Sequence, residues 1–262
     1  MSIAHTILLY FPSWLLGLLI VGGMTALSIA GLILVRRIIP HHKLRVHHDV
    51  AGPIFCTLGV IYAVLLTFVT VMVWGQFDKA RHDVEEEAGC LMSLYRASDV
   101  FRQDFKIKLR SDIANYAKAV LEEEWGCLAK GSGCPSVDVL LKNLWASYTN
   151  YAPSPGLEEI FFNQSITRLE QLEQYRAMRI VDSKTSLPGL MWAILFIGGM
   201  ATISFTFFFG VENFKAQAVM ASLLVIIIGL MLFAILCMDY PFTGSVSITP
   251  EPFKQIGRMS LI

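Results

Sequence analysis

The sequence predicts an all-α membrane protein with four transmembrane helices and a helical-bundle extramembrane domain between spans two and three. Hydrophobic residues make up 55% of the 262 residues and charged residues only 16%, a more apolar balance than soluble domains have. The apolar residues form four blocks, each long enough to cross the roughly 30 Å hydrocarbon layer. The long polar segment between the second and third blocks has helical periodicity throughout.

The four predicted spans contain no Asp, Glu, Lys, Arg or His, as expected of helices in contact with lipid. They cover about residues 14–35, 50–74, 190–209 and 216–238. The segment before the first span has no Lys or Arg, so it does not resemble a secretory signal peptide, and we expect it to remain in the mature protein. The zero net charge gives no reason to expect a nucleic-acid partner.

The polar segment predicts several amphipathic helices. Apolar residues recur at steps of three and four from Phe77 onward, and no helix breaker separates them from the second span. We therefore predict one long helix that leaves the membrane, followed by helices ending near Gly126 and covering about 137–151 and 157–183. The predicted domains are 1–74 with the first transmembrane pair and a basic loop, 75–187 with the bundle, 188–238 with the second pair, and the tail 239–262.

The basic residues of the short loops predict an orientation in a bacterial inner membrane. Five lie in the two short turns and two in the C-terminal tail: Arg36, Arg37, Lys43, Arg45 and Lys215, against Lys254 and Arg258. Short loops rich in Lys and Arg stay in the cytoplasm, whereas long domains translocate largely regardless of charge. This count predicts extracytoplasmic termini and an extracytoplasmic bundle.

Two cysteines flank a turn in the stretch "WGCLAKGSGCPS". A disulfide between Cys127 and Cys134 would close a small loop and contribute roughly 2–3 kcal/mol in the entropic model. Because disulfides persist outside the cytoplasm, it would agree with the predicted orientation. The alternatives are two unrelated thiols or a weak metal pair.

The stretch "HHKLRVHHD" after the first span contains His41, His42, His47 and His48. Its spacing does not match the i, i+4 pattern or the Cys/His spacings of ordered zinc sites. We interpret it as a basic juxtamembrane loop facing anionic lipid, and a weak metal site or a pH-responsive loop is the alternative. No metal site is predicted.

Two acidic clusters occupy residues 85–87 and 122–124. No Glu-x-x-His motif accompanies them, so we interpret both as solvated helix faces, with an acidic vestibule for cations as the alternative. The sequence also lacks a nucleophile–base constellation, a phosphate loop, a haem motif and a dinucleotide fingerprint. We expect neither a cofactor nor a catalytic activity of its own.

The second span carries a face of small and weakly polar residues, which we call the small-residue face. It consists of Gly52, Cys56, Gly59, Ala63, Thr67, Thr70 and Trp74. Such a face suits close helix packing and also the lining of a narrow pore. Because no span contains an ionisable residue, an ion-coupled transporter is disfavoured.

The turn "GVENFK" between the third and fourth spans places Glu212 near the basic loop. An ion pair of Glu212 with Arg36 or Arg37 is predicted at this interface. Charge reversal at Glu212 should then disturb folding or function.

Four stretches resemble the bestrophin-like domain-of-unknown-function family of bacterial multi-pass membrane proteins. They are "HDVAGPIFCTLGVIYAVLLTFVTVMVWGQFDKA", "VLEEEW", "FFGVEN" and "MDYPFTGSVSITPEPF". The positions that match the family pattern are His48, Gly59, Tyr62, Trp74, Glu123, Glu212, Asn213, Asp239, Pro241, Phe242, Gly244, Pro250 and Phe253. The resemblance implies an analogy with anion channels.

Three classes of function follow. The leading one is an oligomeric ion channel or similar conduit, since four spans are few to enclose a pore alone. The alternative is a non-catalytic scaffold or accessory subunit whose bundle binds a protein partner. The third is a metal or redox enzyme that uses the histidines or the acidic helices. The lipid bilayer and a homo-oligomer are the expected partners.

Overall fold

A computed structural model describes residues 12–39, 48–209, 211–244 and 246–259. All regular elements within these ranges are helices, and four of them are long and apolar enough to cross a membrane, which confirms the all-α fold class with four spans. The α-helices are, in chain order, α1 (Ser13–Ile38), α2 (His48–Ala97), α3 (Gln103–Ala119), α4 (Trp125–Leu128), α5 (Pro135–Thr149), α6 (Leu157–Asp182), α7 (Gly189–Thr206), α8 (Phe214–Met238) and α9 (Glu251–Met259).

Helix α2 contains 50 residues and includes both the second span and the first helix of the bundle. At 1.5 Å per residue it is about 75 Å long, more than twice the thickness of the hydrocarbon layer. The prediction of one continuous helix is therefore confirmed. Outside the predicted span, α2 packs along α6, so the bundle grows directly from the membrane-spanning segment.

The predicted helix end near Gly126 is wrong by a few residues. After α3 the chain continues through a π-helical turn, Val120–Glu124, into the short helix α4. The chain turns only at Gly131, whose φ of 71° is the left-handed conformation that glycine adopts without strain. A π-helical turn carries an extra residue, so it shifts the side chains that follow around the helix axis.

Two groups of buried apolar side chains hold the fold together. The group in the membrane half, which we call the membrane core, comes from all four spans and includes Leu32, Tyr62, Leu66, Val69, Val73, Leu195, Val225 and Ile228. In α8, 33% of the most apolar stretch is buried, against 11% in α1. Helix α8 is therefore the most enclosed of the four spans, whereas α1 leaves most of its surface to lipid or to other chains.

The C-terminal segment folds onto the bundle. Phe242, Ile248 and Phe253 are buried in the bundle's apolar core. The indole Nε1 of Trp125 donates to the carbonyl of Ile248 at 3.0 Å, and the ring of Trp125 contacts those of Phe242 and Phe253 edge-on. The end of the chain is thus a part of the bundle's interior.

Candidate functional site

The small-residue face of α2 lies beside the surface by which α2 packs within the chain. The residues of α2 in the membrane core are Tyr62, Leu66, Val69 and Val73, and their stripe is roughly a quarter of a turn around the helix from the small-residue face. Cys56, Ala63, Thr67 and Trp74 are exposed, and Gly52, Gly59 and Thr70 are partly so. This face is not a packing surface within the described part of one chain, so a neighbouring copy, a pore or lipid must cover it.

The geometry of this face is open and weakly polar. A Cβ atom added at Gly52 or Gly59 would meet nothing within 4 Å. The hydroxyls of Thr67 and Thr70 donate to the carbonyls of Ala63 and Leu66 at 2.8 and 2.7 Å. Their oxygen lone pairs remain as acceptors on an otherwise apolar surface.

Gln217 and Arg36 bind each other at the end of the spans that is remote from the bundle. The guanidinium of Arg36 donates to Oε1 of Gln217 at 2.7 and 3.0 Å and to the carbonyl of Val211, and it lies over the ring of Phe214. The amide of Gln217 in turn donates to the carbonyls of Thr206 and Phe209 at 3.1 and 2.9 Å.

Arg36 is therefore attached to the predicted turn, but its described partners are Gln217 and Val211, not Glu212. An amide one turn inside an apolar span satisfies several backbone carbonyls at once, which a carboxylate cannot do because it only accepts. Arg37 and Glu212 are both exposed. The predicted ion pair of Glu212 with Arg36 or Arg37 stays a prediction.

Asp239 lies where α7 and α8 meet the bundle. Its buried carboxylate accepts from the backbone N–H of Leu187 at 2.7 Å and from Nε1 of Trp192 at 3.3 Å. These bonds fix the entry of α7 against the exit of α8. Asp239, one of the positions that match the family pattern, thus connects the last two spans.

The interior of the bundle contains an ionic cluster, formed by Glu87, Tyr116, Glu124, Asp138, Arg176 and Arg179. Arg179 donates to Glu87 at 2.6 and 3.0 Å and to Glu124 at 2.6 Å. Arg176 donates to Glu124 at 2.7 and 3.0 Å and to Asp138 at 2.6 Å. Glu87, Glu124 and Arg179 have no solvent-accessible surface.

The interpretation of both acidic clusters as solvated faces is therefore wrong for their last members. Glu85, Glu122 and Glu123 are exposed as predicted, but Glu87 and Glu124 are fully buried. Two buried carboxylates face two guanidinium groups, so the buried charges balance. Burial of an ion without such a partner would cost several kcal/mol.

The surroundings of the cluster favour a protonated Arg179 and a protonated Tyr116, while burial raises the pKa of Glu87. Burial tends to lower the pKa of the Arg179 guanidinium, but Glu87 and Glu124 more than offset it, and the pKa lies above its ordinary value. Burial and then the charge of Glu87 raise the pKa of Tyr116 well above its usual range, so the phenol stays protonated and donates to Glu87 at 2.7 Å. Arg179 also lies over the rings of Trp125 and Phe253.

Through these contacts the ionic cluster joins α2, α3, the π-helical turn, α5, α6 and the C-terminal segment. Among the described residues no group of three His, Cys, Asp or Glu side chains could hold a metal ion. The hydrogen bonds of the ionic cluster connect these elements to one another. Sequence reasoning missed it because each acidic triplet was treated as one surface.

The predicted disulfide is not supported. Cys127 and Cys134 are both thiols, and the hydrogen bond between them, together with burial, raises the pKa of the Cys127 thiol to about 11. Backbone bonds close the turn instead, because the N–H groups of Lys130 and Ser132 donate to the carbonyl of Cys127 at 2.9 and 3.0 Å. The loop does not need a covalent bond to keep its shape.

Most of the predicted histidine loop lies outside the described residues. His41, His42 and His47 lie outside the described residues, as do Lys43 and Arg45, and so does the side chain of His48. The interpretation of this stretch as a basic loop stays a prediction.

Comparison with known proteins gives a family and a fold. A family model described as a bestrophin-like domain matches residues 22–253. The fold is similar to a crystal structure of a point mutant of a bacterial bestrophin homologue from Klebsiella pneumoniae, with a TM-score of 0.69 at 13% identity, covering 92% of this chain and 99% of that one. No curated protein shows significant similarity to the chain.

Two further crystal structures give the same result. Another structure of a bacterial bestrophin homologue from Klebsiella pneumoniae has a TM-score of 0.68 at 14% identity and covers 91% of this chain and 96% of that one. A variant described only as a membrane protein has a TM-score of 0.69 at 13% identity, with coverages of 92% and 97%. At these identities the likeness is one of fold.

Proposed function

The chain belongs to the bestrophin-like family, and from this premise we propose that it forms an oligomeric ion channel or similar conduit in the bacterial inner membrane. The observation that carries the proposal is the exposure of the small-residue face along α2. Copies arranged around an axis would bring these faces together and line a path with glycines and threonine hydroxyls. We propose no catalytic activity for the chain itself.

The shape of a single chain favours an assembly. Only 17% of the most apolar stretch of α2 is buried within the chain, although α2 is the longest helix described. Exposed small residues allow neighbouring helices to approach closely, which is how helices associate in lipid. A rotationally symmetric assembly would use the same face of every copy.

The chemistry of the face suits passive conduction. Its residues carry no ionisable carboxylate, ammonium or guanidinium, so it provides no relay for coupled proton movement. Hydroxyl oxygens such as those of Thr67 and Thr70 can replace part of the hydration shell of an ion. We therefore propose passive conduction along an electrochemical gradient.

We propose the orientation of the chain in the membrane from the count of basic residues alone, because Cys127 and Cys134 are thiols and provide no disulfide as a second argument. The short loops would lie in the cytoplasm, with the bundle and both termini outside. To test this orientation, Lys130 is replaced by cysteine in a variant that lacks Cys127 and Cys134. We expect a membrane-impermeant maleimide to label this cysteine in intact spheroplasts. Labelling only after the membrane is permeabilised would reverse the orientation.

The experiment that tests conduction is ion flux through purified protein in liposomes. Thr70→Phe should reduce the flux several-fold, because it places a bulky side chain on the small-residue face. Met72→Phe is the matched control, since Met72 is exposed on the far side of the same helix turn, roughly 160° around the axis from Thr70. Equal flux in both variants, or no flux in the native protein, would refute the proposal.

A scaffold or accessory subunit is the second candidate. The bundle exposes the apolar side chains of Leu157 and Ile160, which are three residues apart on α6 and so share one face. If this face binds a protein, Leu157→Ser with Ile160→Ser should release a co-purifying partner while liposome flux is unchanged. Release of the partner by these substitutions, together with no measurable flux through the native protein, would favour the scaffold.

A further inference from the structure

A long groove runs between α1 and α7 on the surface of the membrane half. It consists of two cavities of about 510 and 790 Å³. Both cavities are lined by Met24, Leu27, Phe196 and Leu232, so they are two parts of one groove. On α1 its lining extends from Leu19 to Leu34, a distance of about 22 Å along the helix axis.

The lining is apolar along this length and contains no Asp, Glu, Lys, Arg or His. One end is bordered by Ser186, Trp192 and Tyr240, where the spans leave the membrane half for the bundle. Tryptophan and tyrosine are typical of the level at which lipid headgroups begin. The groove therefore opens at an interface and continues into the hydrocarbon layer.

The groove is not shaped to receive another helix. Close helix pairs need small residues that let backbones approach. Two of the glycines in the lining are already covered from within the chain, since added Cβ atoms at Gly31 and Gly199 would lie 2.9 Å from the ring of Phe207 and 2.8 Å from the hydroxyl of Tyr62. Leucine, methionine and phenylalanine side chains form most of the remaining wall.

We propose that this groove binds one acyl chain of a membrane phospholipid, whose headgroup stays at the interface near Ser186 and Tyr240. The size of each cavity is that of a small-molecule pocket, about 300–1,000 Å³. An empty groove would forfeit dispersion contacts along both walls, and the bilayer supplies a flexible apolar chain of suitable length. The lining offers no cation to a fatty-acid carboxylate, so a phospholipid is the source of the chain.

The experiment is native mass spectrometry of the full chain in mixed micelles of detergent and dioleoylphosphatidylcholine, counting retained phospholipids per protomer. Gly23 lines the groove, and a Cβ atom there would meet nothing within 4 Å, so Gly23→Trp should fill the groove without disturbing the fold. Gly22 is equally open and lies outside the lining, so Gly22→Trp is the matched control.

We expect the native protein and Gly22→Trp to retain one phospholipid per protomer and Gly23→Trp to lose it, with all three equally helical and monodisperse. Equal retention in both variants would overturn the proposal, because the lipid would then bind elsewhere. A change of subunit number in Gly23→Trp without loss of lipid would mean that a second copy occupies the groove. Preferential retention of oleic acid over the phospholipid would overturn the assignment of the source.

A further variant tests the chemistry of the occupant. Ser28 lies in the lining, and its buried Oγ has no hydrogen-bond partner among the described residues. An acyl chain has no polar atom at that depth, so Ser28→Ala should retain the phospholipid. Loss of binding in Ser28→Ala would indicate an occupant with a hydrogen-bonding group and would overturn the acyl-chain proposal. None of these results depends on whether the protein conducts ions.

Discussion

The bundle holds Glu87, Glu124 and Arg179 in an interior without solvent contact, whereas the membrane core consists of apolar side chains and one tyrosine. In the bundle, charged hydrogen bonds at 2.6–3.0 Å fix the elements to one another. In the membrane half, Leu66, Val69 and their neighbours fit against apolar partners, and Tyr62 donates to the carbonyl of Leu195 at 3.1 Å.

The difference follows from the solvent around each region. Water drives apolar groups of the bundle together, so its core forms from apolar burial and tolerates paired ions within it. Lipid is as apolar as leucine, so the spans associate through close fit and a few hydrogen bonds. The bundle should therefore be sensitive to the removal of one charge, and the membrane half to the addition of one methyl group.

The largest effect is expected from Arg179→Met. It would leave Glu87 and Glu124 without their main partner in the interior, which costs about 3–5 kcal/mol for a broken buried pair. The thermal unfolding midpoint of the detergent-solubilised protein measures it. Arg168→Met on the same helix is the control, because Arg168 is exposed and bonds only Gln171 among the described residues. Equal midpoints for the two variants would show that the ionic cluster contributes little.

Gly198→Ala is the counterpart in the membrane half. The added Cβ atom would lie 2.8 Å from the ring of Tyr62, which is buried and held by its bond to Leu195. Overpacking of this kind costs about 1–3 kcal/mol. Gly22→Ala adds the same methyl group on α1, where nothing lies within 4 Å. If both variants unfold at the same temperature as the native protein, close fit is not what holds the spans.

Trp125→Phe should loosen the C-terminal segment by about 1 kcal/mol, because it removes the hydrogen bond to Ile248 and keeps the aromatic contacts. Amide hydrogen exchange should then increase in α9 and stay unchanged in α5. Trp145→Phe removes a similar bond, to the exposed Glu173, and serves as the control. Faster exchange in α9 for both variants would contradict a specific role of Trp125.

The smallest effect concerns Cys127 and Cys134. Both should react with maleimide in the denatured protein without prior reduction, and dithiothreitol should leave the unfolding midpoint unchanged. Substitution of both by serine should change stability by at most about 0.5 kcal/mol. Thiols that react only after reduction would restore the disulfide and, with it, the second argument for an extracytoplasmic bundle.

Hydropathy and the absence of helix breakers predicted the spans and the continuous helix α2, because lipid leaves the backbone few alternatives to a helix. The ionic cluster was predictable in part. Glu87 falls in the buried stripe Ala80, Val84, Leu91 and Leu94, and Arg176 and Arg179 continue the stripe of Leu169 and Leu172 on α6. Charged residues at core positions of separate helices indicate a buried pair, although their pairing depends on tertiary contacts.

Other features had weaker signals. Gln217 is a polar amide in the first turn of an apolar span, which marks it as a binding residue without naming Arg36 as its partner. The spacing of Cys127 and Cys134 permitted a disulfide, but spacing does not determine whether two thiols are oxidised. The small-residue face was identified from its periodicity. What covers it depends on other molecules, so its role as a pore lining stays a prediction.

Helix α2 carries both Glu87 and the small-residue face, and the helix is continuous between them. Thr70 and Glu87 are separated by about 25 Å along its axis. Because the helix is continuous, a tilt of the bundle that leaves it intact turns the membrane-spanning part through the same angle. In the proposed assembly, a displacement of Glu87 and its partners should therefore change the distance between the Thr70 side chains of neighbouring copies.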